Sequence, residues 1–135
     1  MAYSNLQTAV SQYQANDVAG IAHYANPHKL IEMLLGGALD RLAQAKGGIL
    51  RGDVVQKLQG ISKAVAIIEQ LRLQLDFQAG GEIARNLGRL YDYMLRRLPK
   101  ANADDDVGGI DEVSALLREI KSAWDAIPAA LHAQH

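Results

Sequence analysis

The amino-acid sequence predicts an all-α protein, an antiparallel up-down four-helix bundle with a short amphipathic N-terminal segment. Three observations carry this. Apolar residues recur three and four apart through four long stretches, the period of one helix face. Leucine and alanine dominate the apolar set, aromatics are only 5% of 135 residues, and no run alternates β-branched residues as a strand would. Short loops separate the stretches, which favours antiparallel neighbours.

Residues 1–24 read as an amphipathic cap and linker. Tyr3, Leu6, Val10 and Tyr13 share one helix face, and the polar or small stretch from Gln14 to Tyr24 joins them to the bundle. The first helix is expected over 26–50, with Asn26 as N-cap, Pro27 in the first turn, and a core line of Ile31, Leu35, Ala38, Leu42, Ala45 and Ile49. Gly47, Gly48 and Gly52 weaken its end. The second is expected over 53–78, opened by the capping-box pair Asp53 and Gln56 and stopped by Gly80-Gly81. The third, over 81–99, carries Ile83, Leu87, Leu90, Met94 and Leu98, and Pro99 should end or kink it. After the acidic loop Asp104-Asp105-Asp106 and Gly108-Gly109, the fourth is expected over 110–127. Its core line is Ile110, Val113, Leu117, Ile120, Trp124 and Ile127, closed by Pro128.

Residues 1–135 fit one domain, long enough to bury roughly two thirds of the surface that the unfolded chain exposes. The absence of cysteine rules out disulfides and thiolate metal sites and suits a reducing cytoplasm. Fourteen Lys and Arg against 15 Asp and Glu leave no basic excess, which argues against nucleic acid as a partner. Met1 to Leu6 lack the basic start and apolar run of a signal peptide, and no run nears the roughly 20 apolar residues that span a bilayer. Neither secretion nor membrane insertion is expected.

Function should show as apolar surface that one core does not need. On the third helix the apolar residues fill an arc of roughly 140°, near what one core demands. On the second, Leu58, Ile61, Ala64, Val65, Ile67, Ile68, Leu71 and Leu75 spread over roughly 180°, with Leu73 further round still. Such a helix is either covered by its own chain or bordered by a groove that accepts a partner helix, and the Val10–Tyr13 segment could fill that groove in the free protein.

Catalytic and metal constellations are missing. His28 and Glu32 sit one turn apart, but a di-metal bundle needs Glu-x-x-His twice, and that motif does not occur. A phospho-accepting histidine belongs in mid-helix, whereas His28 adjoins Pro27, so it reads as a solvated first-turn residue. No serine stands in a nucleophile elbow, and no glycine pair is followed by Gly-Lys-Ser/Thr. The glycine pairs read as close-packing or helix-ending sites. Arg85, Arg89, Arg96, Arg97 and Lys100 read as the solvated face of the third helix.

The block Gly80-Gly81-Glu82-Ile83-Ala84-Arg85-Asn86-Leu87-Gly88-Arg89-Leu90-Tyr91-Asp92-Tyr93-Met94-Leu95-Arg96-Arg97-Leu98, followed by Ala101-Asn102, closely resembles the third helix of the bacterial flagellin export chaperones, the FliS family. Glu112 to Trp124 resembles that family's fourth helix, Asn26 to Ile31 with Gly37-Ala38-Leu39 its first, and Tyr13 its N-terminal tyrosine. Leu35-Gly36 stands where the family often has Tyr-Asp, and Pro99 interrupts a helix that usually continues.

The resemblance implies a cytoplasmic, non-catalytic chaperone without cofactor or metal. It would bind the disordered C-terminal region of newly made flagellin, block premature assembly and present the subunit to the export gate protein of the flagellar secretion apparatus. The expected partner-binding residues are Val10 and Tyr13 in the cap, Ala64, Ile67, Ile68 and Leu71 on the second helix, and Leu87, Tyr91 and Leu95 on the third. A phosphotransfer, metal-binding or transcription-linked regulatory bundle is the alternative.

Overall fold

The computed structural model describes residues 27–127, which form four helices: α1 (Pro27–Arg51), α2 (Val54–Leu73), α3 (Phe77–Asp104) and α4 (Val107–Ala126). Helices adjacent in sequence pack on each other, and α4 closes the ring onto α1. The core runs down the middle, through Leu35 and Leu42 of α1, Ile68 and Leu71 of α2, Tyr91, Met94 and Leu98 of α3, and Ile110, Val113 and Leu117 of α4. Full burial of one such leucine is worth about 1.5–3 kcal/mol, so these lines hold the bundle together. The expected all-α bundle is what forms. Asn26, Pro128 and the whole N-terminal segment lie outside the described residues.

Several ends differ from expectation. The second helix stops at Leu73 rather than 78, because Asp76 starts the third: its carboxylate accepts from the backbone N–H groups of Gln78 and Ala79 at 3.0 and 2.9 Å. Gly80-Gly81 therefore sits inside α3. Gly81 takes φ 54° and ψ −127°, a kink in the left-handed region that suits glycine, and the long regular part of the helix follows it. Asp53 caps α2 through the Gln56 N–H at 3.1 Å, but the Gln56 side chain accepts from Gln44 of α1 instead of returning to the cap.

The helix also continues past Pro99 to Asp104. An interior proline costs about 3 kcal/mol, and the burial of Leu98 before it and Ala101 after it offsets part of that cost. Lys57 reaches across from α2 and donates to the Asn102 carbonyl (3.2 Å), satisfying an acceptor in the last turn. The fourth helix starts at Val107 rather than 110, since the Asp106 carbonyl already accepts from Gly109 and Ile110.

Two glycines set the closeness of α1 and α2. A Cβ on Gly60 would stand 2.6 Å from both the Ala45 nitrogen and the Arg41 carbonyl oxygen, and one on Gly48 2.4 Å from the Lys57 nitrogen. The first helix therefore runs through Gly47-Gly48 and ends only at Gly52, at φ 70°.

Candidate partner-binding groove

Trp124 lies on the core line of α4, and its indole N–H donates to the His28 carbonyl at 3.0 Å. Its ring stacks on the His28 imidazole at 5.5 Å, and His28 Nε2 lies 3.6 Å from a Glu32 carboxylate oxygen. His28 is thus built into the α1–α4 seam rather than solvated as expected. Among the described residues no three His, Cys, Asp or Glu side chains gather as metal ligands, and no helix is long and apolar enough to cross a membrane. A cleft of about 90 Å³ beside Gly48, Val54 and Asp105 falls well short of the roughly 300 Å³ at which small-molecule sites begin.

The nine expected partner-binding residues separate. Val10 and Tyr13 lie outside the described residues. Ala64, Ile67, Ile68, Leu71 and Tyr91 are buried inside the bundle, so none offers a surface while the bundle is closed. Leu87 and Leu95 are half-buried against the core. Ile83 and Ile127, expected on core lines, are 73% and 40% exposed because each lies at a helix end, beyond the reach of the facing helices.

Apolar surface of α2 outside its buried line includes Leu58 and Val65. At roughly 100° per residue, Leu58 and Val65 point about 100° away from the buried line of Ala64, Ile68 and Leu71. Leu58 is 46% exposed and Val65 half-buried. On α3, Gly88, Leu95 and Pro99 fall within about 40° of each other on the edge toward α2.

Two polar clasps fix the pairing of these helices. Arg72 grips Asp92 with Nε to Oδ1 at 2.6 Å and Nη2 to Oδ2 at 3.2 Å, and Lys57 holds Asn102 and Asp105. The hydrogen bonds and charge of Arg72 hold the Asp92 carboxyl below its ordinary pKa. Leu58, Val65, Leu95 and Pro99 line the stretch between the clasps. Near the Arg72 clasp, Phe77 folds over α3, where a Cβ on Gly88 would sit 3.4 Å from its ring.

The α3–α4 seam is charged instead. Arg97, expected on the solvated face, donates to Asp106 (2.8 Å) and Glu112 (3.1 Å), and Tyr93 donates to the same Glu112 at 2.8 Å. A Cβ on Gly109 would stand 2.7 Å from the Arg97 guanidinium carbon, so the glycine makes room for this clasp. The Arg97 hydrogen bond, with the Gly109 N–H, lowers the Asp106 pKa. The α2–α3 seam thus carries an apolar strip where the α3–α4 seam carries a charged clasp.

The chain matches the family model described as flagellar protein FliS over residues 6–131. It belongs to the FliS family. The flagellar secretion chaperone FliSB of Pseudomonas aeruginosa is 50% identical over 119 residues, 88% of this chain and 94% of that relative. The flagellar secretion chaperone FliS of Salmonella typhimurium is 45% identical over 121 residues, 89% and 90% of the two chains. That of Vibrio cholerae is 39% identical over 127 residues, 94% and 93%. The family is one of chaperones and not of enzymes, which agrees with the expectation from the missing chemistry.

Proposed function

We propose that this chain binds the C-terminal helical region of newly made flagellin along the α2–α3 groove. Binding covers the apolar faces through which flagellin subunits coil on each other, blocks premature polymerisation in the cytoplasm, and carries the subunit to the export gate protein of the flagellar type III apparatus. The observation that carries this reading is the apolar strip of Leu58, Val65, Leu95 and Pro99, joined to membership of a family of flagellar secretion chaperones. An amphipathic helix needs such a strip between two parallel ridges. Ala64, Ile68, Leu71 and Tyr91 act as buried support for this strip rather than as its surface, Leu87 stays half-buried against the core, and Ile67 lies on the α1 side. Val10 and Tyr13 join the proposed partner-binding residues on the reading of the sequence alone. The ordering cost of the disordered tail keeps affinity moderate for the buried area, which suits later release.

The test is calorimetric titration of the full chain with a C-terminal peptide of the source organism's flagellin, beside light scattering of flagellin polymerisation. Saturable 1:1 binding and suppressed polymerisation are expected. Failure of the peptide to bind would refute the reading.

A further inference from the structure

The two rims of the α2–α3 groove carry different charge. Beyond Pro99, the solvent edge of α3 presents Arg85, Arg89, Arg96 and Lys100 within an arc of about 60°, and all four are exposed. Their recorded partners sit on the same helix: Arg85 with Glu82 at 3.0 Å, Arg89 with Asn86 at 2.5 Å, Lys100 with Asp104 at 3.4 Å, and Arg96 acting on the charge of Asp92. Exposed intrahelical pairs of this kind are weak and exchange readily for a better partner. The opposite rim, on α2, presents Ser62 and Glu69, both exposed, and Lys63 points about 100–120° away from them. One wall of the groove is therefore basic and the other neutral to acidic.

We propose that the helix accepted by this groove carries a row of carboxylates along the edge facing α3, and that Arg89, Arg96 and Lys100 select it and fix its roll. The proposal rests on the reading above and names the chemistry of the client face. An apolar strip alone would admit a helix in several rotations about its axis. A one-sided basic rim makes one rotation better than the rest, because the reversed roll sets acidic side chains against Glu69. Rim charges act mainly on association rate and on salt dependence. A polyanion such as nucleic acid fits less well, since the chain has net charge −1 and the neighbouring α4 surface carries Asp111, Glu112, Glu119 and Asp125.

The experiment titrates the full chain with two peptides, the flagellin C-terminal peptide and the same peptide with every Asp and Glu replaced by Asn or Gln, at low and moderate salt. The variants are the triple Arg89→Glu, Arg96→Glu, Lys100→Glu, the control Lys63→Glu, and Leu58→Asp. The triple variant should bind the natural peptide about tenfold more weakly and lose the salt dependence. The neutralised peptide should bind the wild-type chain about tenfold more weakly too, yet lose little more against the triple variant, as coupled partners do. Lys63→Glu should bind as wild type. Equal binding of the two peptides by the wild-type chain, or full affinity in the triple variant, would overturn the proposal. Competition by a DNA oligonucleotide that the triple variant abolishes would overturn it as well, by making the rim a phosphate site. Weakened binding by Leu58→Asp but not by the triple variant sinks the acidic-edge proposal alone. Unchanged binding by Leu58→Asp removes the groove reading, and this proposal with it.

Discussion

The α1–α2 seam and the α2–α3 seam share a helix and differ in almost everything else. Along the first, backbone lies on backbone at Gly48 and Gly60, and no room is left for a third element. Along the second, the helices are held apart at two polar clasps, Arg72–Asp92 and Lys57–Asn102, with exposed or half-buried apolar side chains between them. Glycine contacts give a seam that cannot open without losing the fold. Clasps at the ends give a seam that is stable yet leaves an apolar strip facing outward. One helix can thus serve as a structural wall on one edge and a docking surface on the other.

Ile67 sharpens this contrast. It lies about 20° from Gly60 on the wheel, on the α1 edge, and is 3% exposed. Ile67→Asp buries an unpaired carboxylate and should cost more than about 4 kcal/mol, so circular dichroism should show an unfolded chain. A folded Ile67→Asp protein would mean that the α1–α2 seam is looser than described. Trp124→Ala opens the α4–α1 seam, remote from the groove, and should cost about 3–5 kcal/mol by chemical denaturation. For the same reason, Trp124 emission should be blue-shifted in the free protein and change little when flagellin peptide is added. A strong shift would place the client near α4.

Gly60→Val presses a branched side chain onto the Ala45 and Arg41 backbone. It should destabilise by about 2–3 kcal/mol, toward the upper end of overpacking costs, with the loss seen in urea midpoints. A smaller and opposite effect is expected at Tyr91. Its hydroxyl is buried without a hydrogen-bond partner among the described residues, and burial raises its pKa above the ordinary 10. The unfolded chain ionises this phenol near pH 10 while the folded chain keeps it neutral, so stability present below pH 10 is lost as pH rises past it. Tyr91→Phe should stabilise the protein by about 1 kcal/mol and flatten the alkaline loss of stability measured from pH 8 to 11.

The same contrast explains what could be read from the sequence. The helices were legible because periodicity and the Asp53 cap are local signals. The end of α2 was not, because Asp76 competes as a cap within a stretch whose apolar pattern runs on through Leu75 and Phe77. Nor was the passage through Pro99, which rests on the packing of Leu98 and Ala101 against other helices. Of the site, the width of the α2 apolar arc was legible and its division was not. A wheel shows that Leu58 and Ile67 cannot both face one core, but it does not say which edge meets α1. That is decided by the contact of Gly60 with Ala45, residues far apart in the chain. Arg97 was drawn into the solvated face for a similar reason, since its partners Asp106 and Glu112 are brought close only by the turn into α4.

The central claim is that α2 presents its client surface on the α3 edge and its structural surface on the α1 edge. Leu58→Asp tests it in one pair of measurements, a thermal melt and a titration with the flagellin C-terminal peptide. Leu58 is 46% exposed, so the charge should shift stability by no more than about 0.5 kcal/mol while weakening binding at least tenfold. A Leu58→Asp protein that melts as wild type and binds the peptide as wild type would contradict the account.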